Sequence, residues 1–195
     1  MISYIKGAIT HKNPTYIIVE TGGIGYHVNV SLHTYAQIEK EERIKILIHQ
    51  HIKEDSNTLY GFNEEVERTL FVLLISVSGI GPNTARVILS GMTPEEVRAS
   101  ILSENVAAFN RVKGIGPKTA KRIILDLKDK VMKDSGDNVG TMIGQDNTLR
   151  KEALSALVAL GFNKVSVQKT LNRVLQAENF TNVEHLIKVA LKQLS

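Results

Sequence analysis

The 195-residue chain contains no cysteine, which removes disulfides, thiol nucleophiles and thiolate metal sites together. No stretch approaches the roughly 18 apolar residues that a membrane helix needs. Met1-Ile2-Ser3-Tyr4 also lacks the basic and then apolar run of a secretion signal, so a cytoplasmic protein is the expectation. Histidine is sparse and poorly spaced for a metal. His49 and His51 form an i, i+2 pair in a strand-like run, His11, His27, His33 and His185 are scattered, and no HxxxH pairing places two ligands on one helix face. No metal and no cofactor are therefore expected. An excess of one charge is small overall, with 24 Lys and Arg against 20 Asp and Glu, but it is unevenly placed. Residues 1–63 carry six basic and six acidic side chains, residues 64–133 eleven and eight, and residues 134–195 seven and six.

The middle region that holds the excess also holds a motif written twice. Gly79-Ile80-Gly81-Pro82-Asn83-Thr84-Ala85-Arg86-Val87-Ile88 returns 35 residues later as Gly114-Ile115-Gly116-Pro117-Lys118-Thr119-Ala120-Lys121-Arg122-Ile123, with seven of ten positions identical. Each copy follows one apolar helical pattern and opens another, with proline in the first turn, where a helix tolerates it best. Two glycines let peptide N–H groups approach a bulky anion, and the helix start adds unpaired donors and the positive end of a dipole. Phosphate is the natural guest. Glycine-rich turns also join helices that bind nothing, but two cradles at fixed spacing suit a polymer with phosphates on two strands. The second copy is the more basic: residues 112–133 contain seven Lys and Arg against two Asp, a run that elsewhere is often only a solvated helix face.

Residues 1–62 alternate at period two, through Ile2, Tyr4 and Ile9; Tyr16, Ile18 and Glu20; Tyr26, Val28 and Val30; and Ile44, Ile46 and Ile48. The pattern predicts about five strands, the last at Thr58–Phe62, and a short helix at Leu32–Ile38. A small barrel of the oligonucleotide/oligosaccharide-binding kind fits, and a small sandwich is also open. Lys53-Glu54-Asp55-Ser56-Asn57 reads as a hairpin turn with two adjacent carboxylates at its tip. Such residues are ordinary in turns, and within a DNA-binding face they would also repel a backbone. From Asn63, read as an N-cap, the period becomes helical, with Val66, Leu70, Phe71, Leu73, Leu74 and Val77 as its apolar stripe. Thr93-Pro94-Glu95-Glu96 reads as a capping box, Ser103 as the next cap, and Pro117 as the start of a helix to about Met132. Residues 133–147, rich in Gly, Asp and Asn, read as a tether with a reach of about 20 Å if coil-like. Three short amphipathic patterns follow, at Leu149–Leu160, Val165–Leu175 and Val183–Leu194, a design better suited to binding a partner than to binding DNA.

A β-barrel, a paired helix-hairpin-helix and a tethered three-helix module, in that order, resemble the bacterial RuvA family of Holliday junction-binding subunits. The resemblance spans the chain, on Leu59-Tyr60-Gly61-Phe62, Glu64–Leu70, Gly79-Ile80-Gly81-Pro82, Leu89-Ser90-Gly91-Met92, Gly114-Ile115-Gly116 with Lys118-Thr119-Ala120, and Ala156–Gly161. It implies an α+β multidomain chain: an OB-like barrel at 1–63, which also forms the oligomer core, a tandem helix-hairpin-helix DNA-binding domain at 64–132, the linker at 133–147, and a motor-binding domain at 148–195. It further implies a homotetramer, or an octamer of two facing tetramers, holding a four-way junction by its duplex arms. Gly79, Gly81, Gly114 and Gly116 supply N–H contacts in that reading, with Asn83, Thr84, Arg86, Lys118, Thr119, Lys121 and Arg122 nearby. Asn83 departs from the family, in which many members carry lysine there.

The family's acidic pin falls on Glu54 and Asp55. The expected partners are four-way junction and duplex DNA, the hexameric ATPase RuvB and the junction resolvase RuvC, with no membrane. The chain has no GxxxxGK[ST] sequence of its own, so the family reading is of a non-catalytic subunit in recombination and DNA repair. Two rivals differ in class. A helix-hairpin-helix duplex tether would lack junction preference. A glycosylase-like enzyme would need Lys118 or Lys121 to work with Asp126, a spacing too short for the usual arrangement.

Overall fold

The computed structural model describes residues 1–138, 145–178 and 180–194. Its alternating N-terminal region forms β1 (Tyr4–Asn13), β2 (Tyr16–Thr21), β3 (Ile24–Val30), β4 (Arg43–Ile52) and β5 (Asn57–Phe62), with α1 (Leu32–Ile38) between β3 and β4. The strands close in the order β1-β2-β3-β5-β4, and β4 returns to β1. Neighbours are antiparallel except β3 and β5, which run parallel from Val28↔Leu59 to Val30↔Gly61. This closed, five-stranded order is that of an OB-like barrel, which removes the sandwich alternative. Its interior is aliphatic, filled by Ile5, Ile17, Val19, Val28, Val30, Ile44, Ile46 and Ile48.

The period-two pattern located β2 but not its inward face. Ile17 and Val19 are fully buried, whereas Tyr16 and Ile18 face outward. Period alone cannot choose between two faces that are both apolar.

The helical pattern forms α2 (Glu65–Ile75), α3 (Pro82–Gly91), α4 (Pro94–Leu102), α5 (Val106–Asn110) and α6 (Pro117–Asn138). Leu70, Phe71, Leu74, Ile88, Leu89, Ile101, Phe109, Ile123 and Leu127 make one core, each large side chain contributing about 1.5–3 kcal/mol by its removal from water. The barrel joins that core through β5: the Tyr60 and Phe62 rings lie 5.1 and 4.9 Å from the ring of Phe71. Met1–Asp134 therefore form one compact unit.

Three local readings shift. Glu64, not Asn63, is the residue that caps α2, by its extended backbone and without a side-chain bond. Asn105, not Ser103, caps α5, its side chain accepting from the Ala108 N–H, while Ser103 ends α4. Helix α6 continues past Met132 to Asn138, because adding a residue to an existing helix costs far less than nucleating one. Of the expected tether at 133–147, residues 139–144 lie outside the described residues, and helix resumes at Gln145.

The second unit, Ser135–Ser195, holds α7 (Gln145–Ala159), α8 (Lys164–Ala177) and α9 (Val183–Leu194). They close over Ala153, Leu157, Val167, Leu171, Val174, Phe180, Leu186 and Ala190. Helix α7 ends in a Schellman arrangement: Gly161, at φ 96°, donates to Val158 O, and Phe162 donates to Leu157 O. No helix of the described residues is long and apolar enough to cross a membrane.

Candidate nucleic-acid interface

The repeated motif forms two hairpin turns of the same construction. In the first, between α2 and α3, Ile80 N–H donates to Val77 O at 3.0 Å; in the second, between α5 and α6, Ile115 N–H donates to Val112 O at 3.1 Å. Val77, Ile80, Val112 and Ile115 sink into the shared helical core, leaving the glycines outside. Gly79 and Gly114 adopt φ 89° and 88°, a left-handed region that is costly for a residue with a side chain. Their identity follows from the turn.

Gly81 and Gly116 have a different reason. Neither has a positive φ, and a Cβ built on either would meet nothing within 4 Å. Elsewhere the protein uses glycine for internal packing: a Cβ at Gly61 would lie 2.4 Å from Val28 Cγ1. Nothing inside the molecule asks for glycine at 81 or 116, whereas close approach from outside does. Both positions open a helix. The first ladder bonds run from Ala85 N–H to Gly81 O at 2.9 Å and from Ala120 N–H to Gly116 O at 3.0 Å, so the preceding N–H groups of each helix point outward, as at any helix start. Gly81 has no side chain to satisfy them. The geometry can take an anion at each turn.

The candidate side chains divide into two groups. Lys118, Lys121 and Asn83 are exposed, and Thr84 and Thr119 are half-buried beside them. Arg122 instead reaches from α6 to the first turn, donating to Ser78 O at 3.1 Å, with its Nη1 3.9 Å from where a Gly79 Cβ would sit. It holds the two turns side by side. Arg86 points to the barrel, donating to Thr15 O at 2.8 Å and to Asn29 Oδ1 at 3.3 Å. Two more cations of the basic run are similarly engaged. Lys128 pairs with Glu104, holding that carboxyl below its usual range, and Lys130 donates to Ser76 Oγ at 3.2 Å. Among the described residues, the exposed cations that flank the second turn and are not engaged by these bonds are Arg111, Lys113, Lys118 and Lys121, while Arg122, bonded to a neutral carbonyl, keeps its charge.

Glu54 and Asp55 stand exposed at the tip of the β4–β5 hairpin, beyond the last pair Ile52↔Asn57. Lys53 N–H donates to Ser56 O at 2.8 Å and closes the turn. Both carboxylates are presented to solvent from a paired base. Below them on β4, burial, then His51, then Arg68 push the His49 imidazole toward its neutral form.

Sequence reasoning missed Glu67. Third residue of α2, it resembles a first-turn acid answering the helix dipole, yet it is fully buried between barrel and helices. Its carboxylate accepts from Ser31 Oγ and, at 2.5 Å, from Thr34 Oγ1. Burial pushes its carboxyl above the usual range; the Ser31 and Thr34 hydroxyls and His33 oppose that, and Glu64 adds to it. No local sequence signal separates it from its exposed neighbours Glu64 and Glu65.

Family models match most of the chain: RuvA N terminal domain over residues 1–61, SAM-like helix-hairpin-helix tandem over 71–129, and RuvA C-terminal domain over 148–195. A protein of Christiangramia forsetii named Holliday junction branch migration complex subunit RuvA is 50% identical over 194 residues, covering 100% of each chain. Proteins of the same name are 48% identical in Cytophaga hutchinsonii, over 98% of this chain and 99% of that one, and 46% identical in Flavobacterium psychrophilum, over 100% of each.

Proposed function

The chain belongs to the RuvA family, and from that premise we propose that it binds four-way (Holliday) DNA junctions and serves branch migration without chemistry of its own. The observation that carries this reading is the open ground before Gly81 and Gly116, where a backbone without side chains meets the starts of two helices. Each turn takes a stretch of phosphate backbone on its N–H groups, so one subunit grips both strands of a duplex arm. Lys118, Thr119 and Lys121 add side-chain donors at the second turn, and Asn83 and Thr84 at the first. Gly79 and Gly114 shape the turns, while Arg122 and Arg86 brace them.

Duplex grip alone does not select a junction. Selection comes from four copies, one per arm, arranged around the acidic tips, as a tetramer or as an octamer of two facing tetramers. At the crossover Glu54 and Asp55 repel the backbones and keep the exchanging strands apart. ATP hydrolysis belongs to the partner RuvB hexamer, since this sequence has no GxxxxGK[ST]. The module at 148–195 recruits that motor through Leu160 and Val165, which are 63% and 59% exposed at the α7–α8 turn. RuvC, the resolvase, acts on the same junction, and the assembly works in the bacterial cytoplasm with its DNA.

The test is a gel shift of a four-way junction against a linear duplex of equal length at one salt concentration. Tighter binding of the junction is expected. Equal affinity would leave only a duplex tether.

A further inference from the structure

The first hairpin and the acidic tip belong to different layers of the same unit, and a junction-binding subunit needs them at a fixed separation. Helix α1 connects the two layers. It sits on the barrel and holds both helices of the first hairpin: α3, through Leu32 N–H donating to Ser90 Oγ at 3.0 Å, and α2, through Gln37 Nε2 donating to Glu64 Oε1 at 3.1 Å and through Glu67. The first two contacts are exposed. The third is dry, with Ser31, Thr34 and Glu67 all between 0% and 1% exposed.

The Glu67 cluster is economical. Ser31 Oγ caps α1 by accepting from Thr34 N–H at 3.0 Å and donates its own proton to Glu67. Thr34 Oγ1 donates to the other carboxylate oxygen. One carboxylate thereby fixes α2 to the first turn of α1 at two points. The charged and titratable groups that act on it are His33 from α1 and Glu64, the cap of its own helix. Stability alone does not explain a polar cluster here: a buried carboxyl group is costly to desolvate, and apolar side chains at all three positions would serve a seam as well or better. What apolar packing cannot supply is direction: two hydrogen bonds to the two oxygens of one carboxyl group define both distance and rotation.

We infer that Glu67 is a positioning residue, setting the first DNA-binding hairpin against the tip-bearing barrel so that preference for junction over duplex depends on its bonds to Ser31 and Thr34. The inference rests on the junction-binding reading of the protein. DNA does not reach Glu67, which acts through α2.

The experiment measures the ratio of junction to duplex affinity, with the separation of labelled arm ends by fluorescence energy transfer, in the full chain and three variants. Glu67→Met keeps volume and loses direction. Its urea midpoint falls, because the buried Ser31 and Thr34 hydroxyls lose their acceptor; in the folded protein its duplex affinity is unchanged and its ratio falls about tenfold, the equivalent of about one such hydrogen bond, with altered arm separation. Glu67→Gln accepts from one hydroxyl and donates to the other, and restores the ratio. Thr34→Val, an isosteric loss of one bond, lowers the ratio about threefold and keeps the proposal testable if Glu67→Met does not fold. A folded Glu67→Met or Thr34→Val with the wild-type ratio and arm separation overturns the inference, as does a ratio that falls only in step with the folded fraction. A wild-type ratio of one refutes the junction reading itself, and the inference with it.

Discussion

Replacing Gly81 by alanine separates what the fold needs from what a ligand needs. The native backbone at Gly81, φ −86° and ψ 168°, is open to any residue, and the added Cβ meets no atom within 4 Å. Two effects on stability nearly cancel. Alanine restricts the unfolded chain, a gain of about 0.4–1 kcal/mol, and it is a poorer helix cap than glycine by a similar amount. The urea midpoint should therefore move by less than the equivalent of about 1 kcal/mol. Binding should respond differently. A methyl group at the mouth of the turn holds a phosphate off the N–H groups, and losing one charge-assisted hydrogen bond costs about 1.5–3 kcal/mol, or roughly 10- to 150-fold in affinity. Gly79→Ala gives the opposite profile. Forced to φ 89°, it loses about 1–2 kcal/mol of stability from backbone strain. Urea titration and fluorescence anisotropy on a labelled junction measure both quantities. A folded Gly81→Ala, Gly116→Ala double variant that binds like the wild type would refute the cradle argument.

Other outcomes are expected from the same geometry. Asn83→Lys, at an exposed position beside the first turn, should tighten junction binding and steepen the dependence of log K on log salt by about 0.9 for each new phosphate contact; an unchanged slope would place residue 83 away from the backbone. Glu54→Gln with Asp55→Gln removes the exposed charge without touching the Lys53–Ser56 turn bond. Junction affinity should hold or rise while motor-driven branch migration changes, and unaltered migration rates would reject the pin role. Leu160→Asp lies outside the core of the second unit, so helicity should persist while recruitment of the RuvB hexamer falls at least about tenfold by pull-down or calorimetry; full recruitment would show that the motor docks elsewhere.

Much of this protein is legible along the chain because its signals are local. A capping box such as Thr93 with Glu96 is complete within four residues, and its two bonds, at 3.2 and 2.8 Å, form as read. The duplicated Gly-Ile-Gly-Pro announces its turns because glycine and proline restrict or free their own backbone. Where two readings had equal local support, the pattern could not decide. Asn63 and Ser103 are good capping residues, yet the chain caps one residue later at Glu64 and two later at Asn105. Arg86 and Arg122 show the same limit: composition marks them as cations beside a phosphate cradle, while their guanidinium groups are held by Thr15 and Ser78.

The order of the elements and the two glycine turns can be read along the chain, since helix period, strand alternation and turn chemistry each act over a few residues. Which cations are engaged, which glycines face open space and which carboxyl group is buried depend on the packed fold. Those are properties of neighbours brought from 24 to 71 residues away, as Lys128 meets Glu104 and Arg86 meets Thr15, and burial and electrostatics depend on what surrounds a group in space.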